Sequence, residues 1–184
     1  MATLVLVNGS PASGKSTVAA ELVNARPLAL NLDIDIVRGQ LGRWLSQPID
    51  AGLAARDLAL AMAQVHLGHG RDVVVPQFLA RERFIEQLDA TARAAAARFV
   101  EIALIVPRSD ALARFATRSA APLHRTHRDA AALQQQQGGP DALGEMYDAF
   151  IDLIDKRSTV RRVDVVWNDI AATVDRVEAA IQRT

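Results

Sequence analysis

The chain has 184 residues, enough for one domain with its own core, and its 21 Lys and Arg residues are balanced by 21 Asp and Glu. That balance excludes a chain-wide attraction to nucleic acid or anionic membrane and leaves only local patches. The absence of cysteine excludes disulfides, thiol catalysis and cysteine metal sites, and an aromatic content of 4% points to a core of Ala, Leu, Val and Ile.

The apolar opening, residues 3–7, has no basic leader and is too short for a signal peptide or a membrane span, so a soluble cytoplasmic protein with no membrane partner is expected. Within it, Leu4-Val5-Leu6-Val7 shows no polar alternation and reads as a strand buried on both faces. A glycine-containing loop and a helix over 15–24 follow. Pro27 precedes a short strand over 28–32, and residues 34–45 have helical spacing that stops at Ser46-Gln47-Pro48. Asp50 is placed to cap a long helix ended by Gly68 and Gly70. Val73-Val74-Val75 is a third strand closed by Pro76, a helix fills 80–98, and residues 100–106 form a fourth strand closed by Pro107. A helix over 110–119, a polar stretch with a four-glutamine run, a helix over 143–156, a strand over 163–166 and a helix from Asp169 complete the chain. Strands alternating with helices predict an α/β fold with a five-stranded parallel sheet and helices on both faces, in one domain over residues 1–184.

Gly9-Ser10-Pro11-Ala12-Ser13-Gly14-Lys15-Ser16-Thr17 satisfies G-x-x-x-x-G-K-[ST] at every fixed position. Gly9 and Gly14 permit backbone conformations and close approaches that a Cβ obstructs. Successive amide N–H groups, over Ser10, Ala12, Ser13 and on to Thr17, then turn inward around phosphate oxygens, aided by the positive end of the following helix. Lys15 supplies a cation for the β- and γ-phosphates, and the Ser16 hydroxyl suits magnesium. A buried strand before the loop and a helix after it supply the context the motif requires, so ATP and Mg2+ are the expected ligands.

Asn31-Leu32-Asp33-Ile34-Asp35-Ile36-Val37-Arg38 begins where the second strand should end, on the sheet edge that carries the phosphate loop. Asp33 and Asp35 share a face in an extended chain, and Arg38 lies on the same side of a helical turn as Asp35. A kinase needs a carboxylate to orient and deprotonate an attacking hydroxyl, with cations to offset charge on the moving phosphoryl group. Either aspartate serves equally well as a helix cap, and spacing alone does not choose.

Together, 9–17 and 31–38 resemble the amino-terminal half of the small AAA-type P-loop kinases related to bacteriophage polynucleotide kinase, a group that includes chloramphenicol phosphotransferase and the zeta toxins. The resemblance implies a P-loop NTPase fold like that of the nucleoside monophosphate kinases. It also implies that Asp35 is the base acting on the acceptor hydroxyl, that Asp33 is a magnesium or structural partner, and that Arg38 contacts acceptor or phosphate. The Asp-x-Asp of the zeta toxins falls on Asp33 and Asp35, and the Asp-x-x-Arg of polynucleotide kinase on Asp35 and Arg38. Relatives also carry a lid, here around 108–140, whose arginines close over ATP. In this chain 108–128 holds Arg108, Arg114, Arg118, Arg125 and Arg128 against Asp110 alone, and Arg118 and Arg125 are the chosen phosphate contacts, with Arg118 also catalytic. One departure stands out: many relatives place an acid at the end of strand three, where Val75 here runs into Pro76-Gln77.

Gln77 and Arg81 are further candidates for acceptor contact. Arg56 and Asp57 read as surface residues, Trp44 and Trp167 as packing residues, and the turn at 167–169 as a border of the adenine site in the relatives' manner. The histidines at 66, 69, 124 and 127 lack the carboxylate pattern of a metal site. The expected activity is transfer of the γ-phosphoryl group of ATP to a hydroxyl of a small nucleoside, sugar or antibiotic-like acceptor. Neutral charge and few aromatics count against a polynucleotide 5′-hydroxyl acceptor without excluding it. A nucleotide-dependent switch or ATPase also stays open, because of the missing acid after strand three.

Overall fold

The structure is a computed structural model that describes residues 1–120, 128–129 and 139–183. Its strands are β1 (Thr3–Gly9), β2 (Leu30–Asn31), β3 (Val73–Pro76), β4 (Arg98–Ile105) and β5 (Arg161–Asp164). The helices are α1 (Lys15–Asn24), α2 (Ile34–Gly39), α3 (Pro48–Gly68), α4 (Glu82–Ala94), α5 (Arg108–Ala120), α6 (Gly139–Asp155) and α7 (Ile170–Gln182). One five-stranded sheet runs in the order β2-β3-β1-β4-β5, and every neighbouring pair is parallel. This is the α/β P-loop architecture expected from the alternation of elements.

Strand periodicity divides the core into two layers. Leu4, Leu6, Val73 and Val75 face α3 and α4, meeting Ala55, Ala59, Ala63, Phe84 and Leu88. Val5, Val7, Val74, Ile102 and Leu104 point the other way, onto Val18, Ala19 and Leu22 of α1 and Val177 and Ile181 of α7. Alanines every four residues along α3 (Ala51, Ala55, Ala59 and Ala63) form its buried stripe, the small-residue core foreshadowed by the scarcity of aromatics. One charged pair enters the sheet interior: Glu101 of β4, 2% exposed, accepts from Arg157 at 2.9 Å. Among the described residues no helix is long and apolar enough to cross a membrane.

Several boundaries differ from the sequence pattern, each for a local reason. The second strand begins at Leu30, because Leu28 sits at φ 56° and cannot extend it backwards. The expected helix over 34–45 is two pieces: α2 stops at Gly39, Arg43 turns the chain at φ 52°, and a 3₁₀ turn follows at Trp44–Ser46. Asp50 does not cap α3. Pro48 opens that helix, where a missing N–H has no consequence, and Asp50 lies in the first turn, where its charge suits the helix dipole. α4 ends at Ala94 and Ala96 turns at φ 51°, so β4 starts at Arg98, earlier than the expected 100. β5 likewise runs Arg161–Asp164 in place of 163–166.

Candidate active site

All five strands end at one edge, and the site is built there from the loop between β1 and α1 outward. A Cβ on Gly9 would lie 2.7 Å from Ser13 Oγ and 3.1 Å from the Leu104 carbonyl oxygen, so only glycine fits. Gly14, at φ 92°, turns the chain into α1, and Ala12 accepts φ 63° between them. α1 opens with no side-chain cap and no acid in its first turn, which leaves its first N–H groups facing the cleft. The Ser10 and Ser13 hydroxyls are buried without a partner. Unfilled donors of this kind around a glycine-framed loop fit the triphosphate of ATP.

Lys15 folds back so that its Nζ donates to the Ser10 carbonyl oxygen at 2.8 Å. Burial, and then the neighbouring Arg118, lower its pKa from 10.5 to about 8, against the pull of Asp35 and Asp33 in the opposite direction. The four charged groups therefore share one small volume. Ser16 and Thr17 are exposed in the first turn of α1, and Ser16 Oγ donates to Asp33 Oδ2 at 3.4 Å.

The two aspartates divide their tasks. Asp33 is the N-cap of α2: its Oδ1 accepts from the N–H groups of Asp35 at 2.9 Å and Ile36 at 3.4 Å, leaving Oδ2 toward Ser16. Burial and the adjacent Asp35 raise its pKa, while the capped N–H groups and Lys15 hold it down. Capping and facing the phosphate loop, alternatives in the sequence, are thus both done by one side chain. Asp35 caps nothing. It lies in the first turn of α2, paired with Arg38 at 3.0 Å, and Arg38 lies 4.6 Å from the centre of the Trp44 ring.

Across the loop, a cleft of about 540 Å³ lies between residues 12–17, α5 and the turn after β5. α5 contributes Arg118, half-buried beside Lys15, and Arg114, whose guanidinium lies 3.8 Å from the Trp167 ring centre. Trp167, read as a packing residue, is 61% exposed on the cleft wall, where Asn168 at φ 55° turns the chain outward. Arg108 binds Asp148 at 2.8 and 3.1 Å and ties the start of α5 to α6. Arg125, the other arginine chosen from sequence, lies outside the described residues, as does most of 121–138.

Sequence reasoning missed two residues. Asn8, fully buried in β1, takes over where the β1–β3 ladder ends at Pro76, a residue with no N–H to give. Its Oδ1 accepts from Leu79 N–H at 2.9 Å and Gly9 N–H at 2.8 Å, and its Nδ2 donates to the Leu79 carbonyl at 3.0 Å. One side chain thus pins the phosphate loop to the turn after β3. The only signal was a polar residue at the end of an apolar strand. Arg56, read as a surface residue, is half-buried over the Phe84 ring at 5.2 Å, with Arg81, Arg38 and Asp35 as its charged neighbours. At the end of β3 stands Gln77, whose Oε1 is buried without a partner. No group of three or more His, Asp or Glu side chains placed for a metal occurs among the described residues. Ser16 Oγ and Asp33 Oδ2, 3.4 Å apart beside the phosphate loop, are oxygen donors of the kind a magnesium ion takes.

The AAA domain family matches residues 4–143, and the chain belongs to it. Among curated proteins none matches the sequence. In solved structures the same fold recurs in a gluconokinase from Sinorhizobium meliloti 1021, 17% identical with a TM-score of 0.62, covering 97% of this chain and 91% of that one. It recurs in the tunicamycin resistance protein of Deinococcus radiodurans, 11% identical with a TM-score of 0.58 over 100% and 98% of the two chains. A protein from Chloroflexus aurantiacus j-10-fl is similar at a TM-score of 0.67 and 18% identity, over 98% and 96%. Family and fold together make the chain an AAA-family protein of P-loop architecture, a fold also used by these proteins.

Proposed function

We propose that the protein is an ATP-dependent kinase that phosphorylates a hydroxyl of a small-molecule acceptor. The observation that carries this reading is the meeting of Lys15, Arg118 and Asp35 at the mouth of the phosphate loop, with Asp33 against Ser16 beside them. A switch or a simple ATPase has no use for a carboxylate held by an arginine beside the phosphate cradle and engaged in no helix cap. The fold shared with a gluconokinase lends further support.

The roles follow from position. The backbone N–H groups of Ser10 and of residues 12–17, with Lys15, hold the β- and γ-phosphates of ATP. Ser16 and Asp33 are the residues that would hold Mg2+, which when bound offsets phosphate charge. Asp35, kept in place by Arg38, accepts the proton of the acceptor hydroxyl. The acceptor oxygen then bonds to the γ-phosphorus as the bond from that phosphorus to the bridging oxygen breaks, releasing ADP. Lys15 and Arg118 offset the charge spread over the transferred group. α5, bearing Arg114 and Arg118, forms one wall of the lid.

The test is an ADP-release screen over nucleosides, sugars, aminoglycosides and 5′-hydroxyl oligonucleotides. ADP release that rises with one class of acceptor is the expected result. Tight ATP binding with hydrolysis indifferent to every acceptor would remove the kinase reading and leave a nucleotide-dependent switch.

A further inference from the structure

Three arginines gather around Asp35, whose carboxylate is the one acid acting on Arg56. Arg38 reaches it directly at 3.0 Å, whereas Arg56, from α3, and Arg81, at the N-terminus of α4, stand nearby without it. Among the described residues Arg56 makes no hydrogen bond or ion pair, and its guanidinium lies against the ring of Phe84. Burial, then Arg81 and Arg38, push its pKa down, with Asp35 alone opposing. Two further polar atoms on this edge are buried and unpartnered, Arg38 Nε and Gln77 Oε1.

A half-buried guanidinium crowded by two others is costly unless an anion joins it. Phe84 and Trp44 flank the Arg56 and Arg38 guanidinium groups, limiting the directions in which their N–H groups can point. Such forks match the paired oxygens of carboxylate or phosphate. We propose that the acceptor is an anionic alcohol, its carboxylate or phosphate held by Arg56 with Arg81 while its hydroxyl is presented to Asp35. The inference rests on the kinase reading for the hydroxyl, but the anion site rests separately on the Arg38–Asp35 pair, the guanidinium–ring contacts and the unpartnered Arg38 Nε and Gln77 Oε1.

The experiment uses matched probes: glycerol phosphate and glycerate against glycerol, and ribose phosphate and ribonate against ribose. Binding is read from Trp44 fluorescence in a Trp167→Phe background, with the phosphate loop filled by a non-hydrolysable ATP analogue so that free anions do not bind there. Anionic members are expected to bind and their neutral parents not. Arg56→Gln should weaken anion binding about ten- to a hundredfold, the range for a lost charge-assisted hydrogen bond, and Arg56→Lys should restore part of it. The carboxylate and phosphate arms decide between the two anions. Neutral parents binding as well as their anionic partners, Arg56→Gln leaving anion binding unchanged in a folded protein, or no anion binding at all would each overturn the proposal. ADP release is then measured with the same compounds and a 5′-hydroxyl oligonucleotide. Arg56-dependent anion binding without acceptor-dependent ADP release would sink the kinase reading and spare the anion site. Preference for the oligonucleotide would overturn the small-acceptor form.

Discussion

On the proposed reading, the phosphate and acceptor regions of the site are built on different plans. The phosphate side is one unbroken segment, residues 9–17, whose binding groups are mostly backbone N–H and whose shape depends on Gly9 and Gly14. The acceptor side has no segment of its own. It draws Asp35 and Arg38 from α2, Arg56 from α3, Gln77 from the end of β3 and Arg81 from the start of α4. A backbone cradle can serve every nucleotide triphosphate without change, because phosphate is constant. A collection of side chains on separate elements can be altered one residue at a time, which is how one fold can serve many acceptors. The two sides should therefore respond differently to substitution.

The largest effect is expected on the phosphate side. Lys15→Ala should remove turnover and weaken ATP binding together, since the charge is needed before and during transfer. The fold should survive, because burial of this charged group opposes folding at neutral pH. Calorimetry with ATP and a turnover assay check both. Undiminished affinity with full activity would mean that the loop does not hold nucleotide.

On the acceptor side the effects should separate. Asp35→Asn should lower the rate of transfer by about a hundredfold to ten-thousandfold, the usual range for a lost general base, with ATP affinity kept. Asp33→Asn should leave the α2 cap largely in place, since an amide oxygen can still accept from Asp35 and Ile36 N–H, and should raise the magnesium requirement. If Asp33→Asn is inactive at saturating magnesium and Asp35→Asn turns over normally, the two assignments are reversed.

The same contrast explains what the sequence reveals. The phosphate loop is legible because backbone geometry demands glycine at fixed places, and no other residue could hide the requirement. Asp33 and Asp35 stand out because they follow a strand closely, yet only the coordinates show that one carboxylate both caps α2 and meets Ser16. Arg56 gives only a faint sign, its place on the helix that borders the acceptor pocket in relatives, and a surface role outweighs it. It follows an alanine in an apolar helix, and its importance comes from Phe84 and Arg81, which lie far along the chain. The fold is legible down to strand count and order of elements. Boundaries fail where single residues at positive φ, such as Leu28, Arg43 and Ala96, override periodicity.

Asn8 is the point at which the two sides meet, and its loss should fall on both. Asn8→Ala strands the Leu79 amide and carbonyl and removes a partner of Gly9 N–H inside the protein. Each buried group left without a partner costs about 1–3 kcal/mol, so the melting temperature should drop by several degrees or more. ATP affinity and acceptor KM should both worsen in the folded variant. A change in one without the other would show that the two halves are set independently.

The smallest expected effect is a pH dependence confined to the phosphate side. With its pKa at about 8, Lys15 in the free protein loses its proton well before an ordinary lysine at 10.5. The folded pKa is below the unfolded one, so the charged form opposes folding below about 8. This group's contribution to stability grows as pH rises from there toward 10.5. Nucleotide binding runs the other way. Phosphate charge beside Nζ favours the ammonium, so above about 8 each binding event must take up a proton. Affinity should fall by up to about tenfold per pH unit in that window and be flat below it as far as this group is concerned. Calorimetry at pH of about 9 in buffers with different ionisation heats would report the uptake as a heat that changes with buffer, and Lys15→Met should abolish it. Acceptor binding at saturating nucleotide should show no matching slope, because Lys15 is then already protonated. Buffer-independent heats in the unmodified protein would mean that Lys15 keeps its proton in the free state and that Asp35 and Asp33 outweigh burial and Arg118.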